Sequence, residues 1–207
     1  MKIDRTKTIT KHFQGVDPVI FPVLARMALE PLRLACPPAG YFPKLCREII
    51  GQQLGSGAAR AILGRFQTLF PRKRITSERV LAYPEAQLRA IGMSWAKARS
   101  IRNLAQQSAE GKLRFSAFSD MDDEAVIADL TQVKGIGRWT AEMFLIFTLG
   151  REDVFSFGDL GLRKGFVHLY GRRRAQSKKS MEIITQRWSP YRSYGSLALW
   201  HISDTAM

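Results

Sequence analysis

Two short stretches of the chain hold residues whose types and spacing could do chemistry. The first is the turn Lys134-Gly135-Ile136-Gly137, set between two apolar segments. Its glycines permit backbone conformations that other residues resist. Their missing side chains let another backbone come close. Successive N–H groups at such a turn and at the start of the next helix form a concave anion site, suited to a phosphate. The plainer alternative is an ordinary helical corner. The second is Asp159, twelve residues beyond Phe147, where a loop ending in Gly158 turns into a helix. An aspartate there is by default an N-cap. The same rigid mount suits a carboxylate that must face a developing positive charge or orient a water. No His/Cys/Asp/Glu grouping has the spacing of a transition-metal site, since His12, His168 and His201 are scattered. Cys36 and Cys46 cannot make the four-thiolate site of an iron–sulfur cluster, and they read as reduced thiols of an intracellular protein.

These groups need rigid elements to hold them. Ser119 followed by Asp122 reads as a helix start, and Val126, Leu130 and Val133 continue it at helical spacing. After the turn, Trp139 to Leu149 is apolar on nearly every face, as in a helix buried within a bundle, and Gly150 supplies its stop. The unit of helix, glycine turn and buried helix spans about residues 120–150. Beyond Asp159, the residues Leu160, Leu162, Phe166 and Leu169 read as the core face of a further helix. Upstream, Tyr41 to Leu54 is amphipathic through Phe42, Leu45, Ile49 and Ile50. Gly55-Ser56-Gly57 interrupts it, and Ala58 to Phe70 resumes until Pro71.

A second helix–glycine–helix unit runs from Pro84 to Ile91, through Gly92, to Trp95–Gln107, with Lys97, Arg99 and Arg102 facing either a polyanion or solvent. Five prolines break residues 1–40 into short pieces, with a short helix over Val23–Leu29. Trp188 to His201 closes the chain as a helix with Pro190 at its start. No strand pattern appears, so the fold class is all-α.

The 207 residues are 45% hydrophobic, ample for a sizeable core, and carry 32 Lys and Arg against 18 Asp and Glu, a net charge of +14. An excess of this size points to a polyanionic partner, nucleic acid before membrane. The runs Arg72-Lys73-Arg74, Arg172-Arg173-Arg174 and Lys178-Lys179 either add to that field or form solvated loops. No apolar run approaches a membrane span, and Met1-Lys2-Ile3-Asp4-Arg5 lacks the apolar core of a signal peptide.

Four ordered motifs carry a resemblance. They are Ile49-Ile50-Gly51-Gln52-Gln53-Leu54, the turn from Lys134 to Ala141, Asp153 to Arg163, and Trp188 to Tyr194 through Trp200. Together they resemble the helix-hairpin-helix DNA glycosylases, and within them the 3-methyladenine (alkylpurine) DNA glycosylase II branch. The resemblance implies one compact unit over residues 1–207, built of two interleaved helical lobes that flank a cleft. It lacks the N-terminal sheet domain that some members carry. It also implies a monomer acting on double-stranded DNA with alkylated bases, located wherever the DNA is.

The activity implied is monofunctional hydrolysis of an N-glycosidic bond after base flipping, with Asp159 as the catalytic carboxylate. Trp139 stands where bifunctional relatives carry a Schiff-base lysine, so the product is an abasic site in an intact strand. Trp139, Met143, Phe157 and Trp200 are the implied base pocket, although Trp200 reads equally well as core. Gln53, or next Leu54, is the plug that fills the gap left by the flipped base. Further DNA contacts fall on Lys134, Gly135, Ile136, Gly137, Arg138 and Thr140. No cofactor is required. The carbonyls of Thr131, Val133 and Gly135 are the implied holders of a structural monovalent cation. Members often have an acid immediately before the catalytic one, and Gly158 stands there instead. Rival readings are a non-catalytic DNA-binding module, a glycosylase for deaminated or oxidised bases, and a small-molecule enzyme.

Overall fold

A computed structural model describes residues 5–33, 36–175 and 177–205; residues 1–4, at which a signal peptide would begin, lie outside this range. The protein is all-α, with twelve α-helices and no strand among the described residues. By contact the chain falls into two compact units, one built from both chain ends, Met1–Arg33 with Leu145–Met207, and the other from Leu34–Phe144.

In the first unit, α1 (Arg5–Val16), α2 (Phe21–Arg26), α10 (Leu160–Tyr170), α11 (Lys178–Thr185) and α12 (Arg192–Thr205) surround a core centred on the fully buried Trp188. The prolines led the sequence reading to miss α1, whose Ile9 and Phe13 face that core at i, i+4 spacing. The α1–α2 corner is fixed by Asp17, buried but fully partnered. Its Oδ2 accepts from Tyr170 Oη and Trp188 Nε1, both at 2.8 Å, and its Oδ1 from the N–H groups of Val19 and Ile20 at 3.0 and 3.3 Å. Burial, and the Asp17 carboxylate beside it, push the Tyr170 phenol well above its ordinary value.

Helix α10 lies against α12 because Gly165 removes the side chain that would stand between them. A Cβ there would meet the Leu199 carbonyl oxygen at 2.1 Å. One turn earlier, a Cβ on Gly161 would meet Trp200 Cδ1 at 2.9 Å and Asp159 Oδ1 at 3.1 Å. The face expected from sequence needs one correction. Leu162 and Phe166 are buried, whereas Leu160 is 74% exposed, since it opens the helix before the first turn reaches the core.

In the second unit, α3 (Tyr41–Gly51), α4 (Ser56–Thr68), α5 (Ser77–Leu81), α6 (Glu85–Ala90), α7 (Trp95–Ala109) and α8 (Asp123–Thr131) follow one another, and α9 (Arg138–Phe147) carries the chain across to the first unit. Tyr41, Phe118 and Phe144 cluster at centroid separations of 5.4–6.3 Å. The start of α8 is capped by Asp122 itself, whose Oδ1 accepts from Ala125 N at 2.8 Å. Ser119 is therefore not the cap. Helix α4 starts two residues earlier than expected, inside the Gly55-Ser56-Gly57 break, and α5 was not foreseen. Both cysteines are free, Cys36 half-buried and Cys46 buried in α3, where burial pushes its thiol far up.

Candidate functional site

Asp159 is the N-cap of α10 and is only 8% exposed. Its Oδ1 accepts two hydrogen bonds, from Leu162 N at 2.7 Å and from Trp200 Nε1 at 2.9 Å. The first bond ties the carboxylate to its own helix and the second to α12. Gly161 makes room for the indole between them, so the side chain is anchored from two elements and cannot swing. Phe147 lies beside Trp200, ring centroids 5.6 Å apart and inclined at 33°.

The loop that delivers Asp159 is itself pinned. Asp153 takes a two-pronged bond from Arg192 at 2.8 and 3.0 Å and a third from Ser189 Oγ at 2.8 Å. Partial burial raises this carboxyl, yet the Arg192 and Ser189 bonds outweigh burial and hold it below the usual carboxylate range. Val154 N donates to Ser193 Oγ at 2.9 Å, fastening the loop again to the first turn of α12. Of the expected pocket residues, Phe157 is half-buried, with its ring against Phe155 at 4.7 Å and the Lys178 ammonium 5.3 Å from its centroid. It props the loop rather than offering an open stacking face.

The second unit holds the hairpin. Gly135 sits at φ +95°, and a Cβ there would fall 2.1 Å from Ser100 Oγ, so both backbone shape and packing demand glycine. Gly137 has no such backbone demand; its position is open, leaving the start of α9 uncovered. Only one of the two glycines is thus needed for its conformation. The turn consumes some of its own donors. Lys134 N bonds Asn103 Oδ1 at 2.8 Å and Ile136 N bonds the Val133 carbonyl at 2.9 Å. The Lys134 ammonium is exposed and stands just before the head of α9, where the helix dipole favours an anion such as phosphate.

Three of the residues expected to contact DNA have side chains engaged within the protein. Thr140 is 3% exposed and its hydroxyl accepts from Gln52 Nε2 at 3.1 Å, so only its backbone could meet DNA. Ile136 turns its side chain into the core. Arg138 is held by Glu124 and by Glu142, the latter at 2.9 Å, which push its guanidinium still higher and leave it no lone cation. Lys97 and Arg102, expected to face DNA or solvent, donate to backbone carbonyls instead. Lys97 Nζ reaches Ile50 and Gln52 at 2.8 and 2.6 Å, and Arg102 reaches Leu81 at 3.2 Å and Tyr83.

At the α3–α4 corner, Gln53 lies at φ +57° and is exposed, and Leu54 is 37% exposed. A non-glycine residue in this region is uncommon and concentrates at functional sites. On α9, Trp139 is 42% exposed, Met143 is buried and Phe147 is 48% exposed. The apolar run read as wholly buried thus presents two aromatic rings to solvent. Among the described residues no His/Cys/Asp/Glu group could hold a metal. The three carbonyls expected to hold a cation lie at and just beyond the end of α8, where the helix dipole favours positive charge. Val133 and Gly135 each already accept one bond there and keep a second lone pair. Hard oxygens of this kind fit a monovalent ion and no thiophilic metal.

Residues 46–190 match the family described as HhH-GPD superfamily base excision DNA repair protein. The chain belongs to this superfamily. It is 33% identical over 171 residues to DNA-3-methyladenine glycosylase 1 of Schizosaccharomyces pombe, covering 80% of this chain and 73% of that protein. Two solved structures share its fold closely. DNA-3-methyladenine glycosidase from Bacillus halodurans superposes with a TM-score of 0.83 at 34% identity, over 96% of this chain and 90% of that one. The Schizosaccharomyces pombe 3-methyladenine DNA glycosylase in complex with abasic DNA gives 0.79 at 29% identity, over 95% and 97%.

Within this HhH-GPD chain, sequence reasoning placed Asp159, the hairpin and the α3–α4 corner where they lie. It missed Phe147 and Gln52. Phe147 lies eight residues after the exposed Trp139, two helical turns along the same face, a signal hidden by treating the run as buried throughout.

Proposed function

We propose that this chain is a monofunctional DNA glycosylase that removes alkylated purines, of the 3-methyladenine type, from double-stranded DNA. The observation that carries the reading is Asp159, held at the head of α10 by Leu162 N–H and by the Trp200 indole. A group fixed this way does its work without reorganising. As the bond between base and deoxyribose breaks, positive charge develops on the sugar, and the carboxylate stabilises it and orients the attacking water. A purine alkylated at N3 or N7 is already cationic, so it departs without a strong acid. This agrees with the absence of a second acid at Gly158. Electron-rich faces suit such a base, and Trp139 and Phe147, both on α9, are exposed rings. With Trp139 in place of an amine no Schiff base forms, and the strand stays intact.

The support from relatives is their names, all three those of 3-methyladenine DNA glycosylases or glycosidases, one of them bound to abasic DNA. The hairpin and the +14 charge serve phosphate binding, and Gln53 or Leu54 serves insertion. A monovalent cation on the carbonyls of Thr131, Val133 and Gly135 would stiffen the turn and takes no part in bond cleavage. The protein then acts as a monomer, inside the cell, where DNA is.

The wild-type protein is expected to release 3-methyladenine from a single-lesion duplex and to leave an abasic site without nicking the strand. Chromatography of the freed base and a denaturing gel with and without alkali read both. Binding without release would favour a non-catalytic module, and release only of deaminated or oxidised bases would move the specificity. Trp200→Phe keeps a ring but loses the N–H to Asp159. Loss of one bond to a charged acceptor costs about 1.5–3 kcal/mol, so single-turnover release should slow by roughly 10–100-fold. Affinity for abasic DNA should stay near that of wild type, and a fall in affinity alone would assign Trp200 to stacking only.

A further inference from the structure

The corner that carries Gln53 and Leu54 is tied down by the residue before them. Gln52 ends α3 and turns its amide inward, where Nε2 donates to the Gly135 carbonyl at 3.0 Å and to Thr140 Oγ1 at 3.1 Å. A carbonyl oxygen only accepts, so the group facing Gly135 must be the NH2, and chemistry settles the orientation of the amide. Both amide hydrogens are spent on the hairpin, one on the turn itself and one on the first helical turn after it. On its other side, the Gln52 carbonyl accepts from Lys97 Nζ at 2.6 Å, which also takes the Ile50 carbonyl at 2.8 Å. A lysine on the last carbonyls of α3 satisfies groups that the helix end leaves open.

Gln52 thus stands between the hairpin and the next residue, Gln53, which is held at φ +57° and projects into solvent. We infer that Gln52 is a positioning residue. It braces the α3–α4 corner against the hairpin turn, so that gripping the DNA backbone and inserting Gln53 or Leu54 into the stack occur as one event. The inference deepens the proposed function and rests on it. A left-handed backbone at a non-glycine residue costs about 1–3 kcal/mol and persists only where its surroundings impose it. Here those surroundings are the two amide bonds and the lysine. Without them the corner relaxes, and insertion must then pay for ordering it.

The test compares wild type with Gln52→Leu, which keeps the bulk and loses the donors, and Gln52→Glu, which keeps the shape and sets a carboxylate oxygen against the Gly135 carbonyl. Two readouts are taken on duplexes that contain 3-methyladenine. One is the fluorescence of 2-aminopurine placed beside the lesion, which reports unstacking without any chemistry. The other is single-turnover base release. Each duplex is made with the lesion paired, or facing an abasic site where little stack remains to be filled. Both variants should lose about 10-fold in unstacking and release on the paired lesion, the worth of one to two hydrogen bonds. They should stay within about 2-fold of wild type on the unpaired lesion and on undamaged DNA binding.

Gln53→Ala should show the same pattern, and Gln52→Leu/Gln53→Ala should be no slower than the slower single variant, because the brace acts through the inserted residue. Equal losses on both substrates, no loss on either, or multiplying effects in the double variant would overturn the inference. A wild type that unstacks the probe yet releases no base would refute the glycosylase reading, and the fluorescence comparison would still decide on Gln52.

Discussion

Asp159→Asn should bind lesion-containing DNA as the wild type does and release almost no base. The amide keeps the shape of the carboxylate. Its Oδ1 still accepts from Leu162 N and Trp200 Nε1, as the Oδ1 of Asp159 does at 2.7 and 2.9 Å. Asparagine caps a helix about as well as aspartate, so stability should change by no more than a few tenths of a kcal/mol. What disappears is the negative charge that faces the sugar. Losing one positioned electrostatic group costs about 10²–10³-fold in rate elsewhere, and a full charge in a site only 8% exposed should cost at least that.

Asp159→Ala makes the useful contrast. It removes the charge and also the cap, worth about 1 kcal/mol, and leaves the Trp200 N–H without its acceptor, another ~1–3 kcal/mol. Both variants should be equally inactive, but only the alanine should melt early. Single-turnover release, affinity for abasic DNA and thermal melting on the same preparations separate charge from scaffold. Wild-type release by Asp159→Asn would end the catalytic assignment.

The site was legible in the sequence where its logic is local. A glycine turn between apolar segments, an aspartate at a helix start and a basic excess each follow from neighbouring residues, and each is found. Gly135 is forced by its own φ, and Asp159 by the first turn of α10. Several of the failures share a cause, for they concern polar side chains whose partners are far along the chain. Lys97 looked like one more exposed cation, yet its acceptors, Ile50 and Gln52, lie 47 and 45 residues away. Thr140 and Gln52 satisfy one another across 88 residues, which no spacing announces. Arg138 finds Glu124 across a turn whose geometry had first to be known. Periodicity also misleads at helix starts. Leu160 has the right phase for the core face and still points to solvent, because a first helical residue precedes the packing surface.

Gly165→Ala should destabilise the α10–α12 contact, although alanine favours helix over glycine by about 1 kcal/mol. The added carbon would fall 2.1 Å from the Leu199 oxygen, 2.8 Å from its carbonyl carbon and 3.0 Å from its Cα. All three are backbone atoms of α12, so no rotamer change relieves the clash, and the two helices must move apart. Overpacking of this kind costs about 1–3 kcal/mol, and here it first cancels the gain in helix propensity. Trp200 follows Leu199 directly, so separating the helices also draws the indole away from Asp159, a bond that tolerates little at 2.9 Å.

Gly161→Ala presses on the Trp200 ring and on Asp159 Oδ1, at 2.9 and 3.1 Å, side-chain rather than backbone atoms, so a shift of a few tenths of an ångström within the Asp159–Trp200 pair relieves it. It should leave stability nearly unchanged while slowing release. Urea unfolding beside single-turnover release distinguishes them. Gly165→Ala should lose both stability, about 1–3 kcal/mol, and activity. Gly161→Ala should lose activity with its midpoint nearly in place. If Gly165→Ala instead gained stability, as helix propensity alone predicts, α10 and α12 could not approach as closely as the Asp159–Trp200 bond requires.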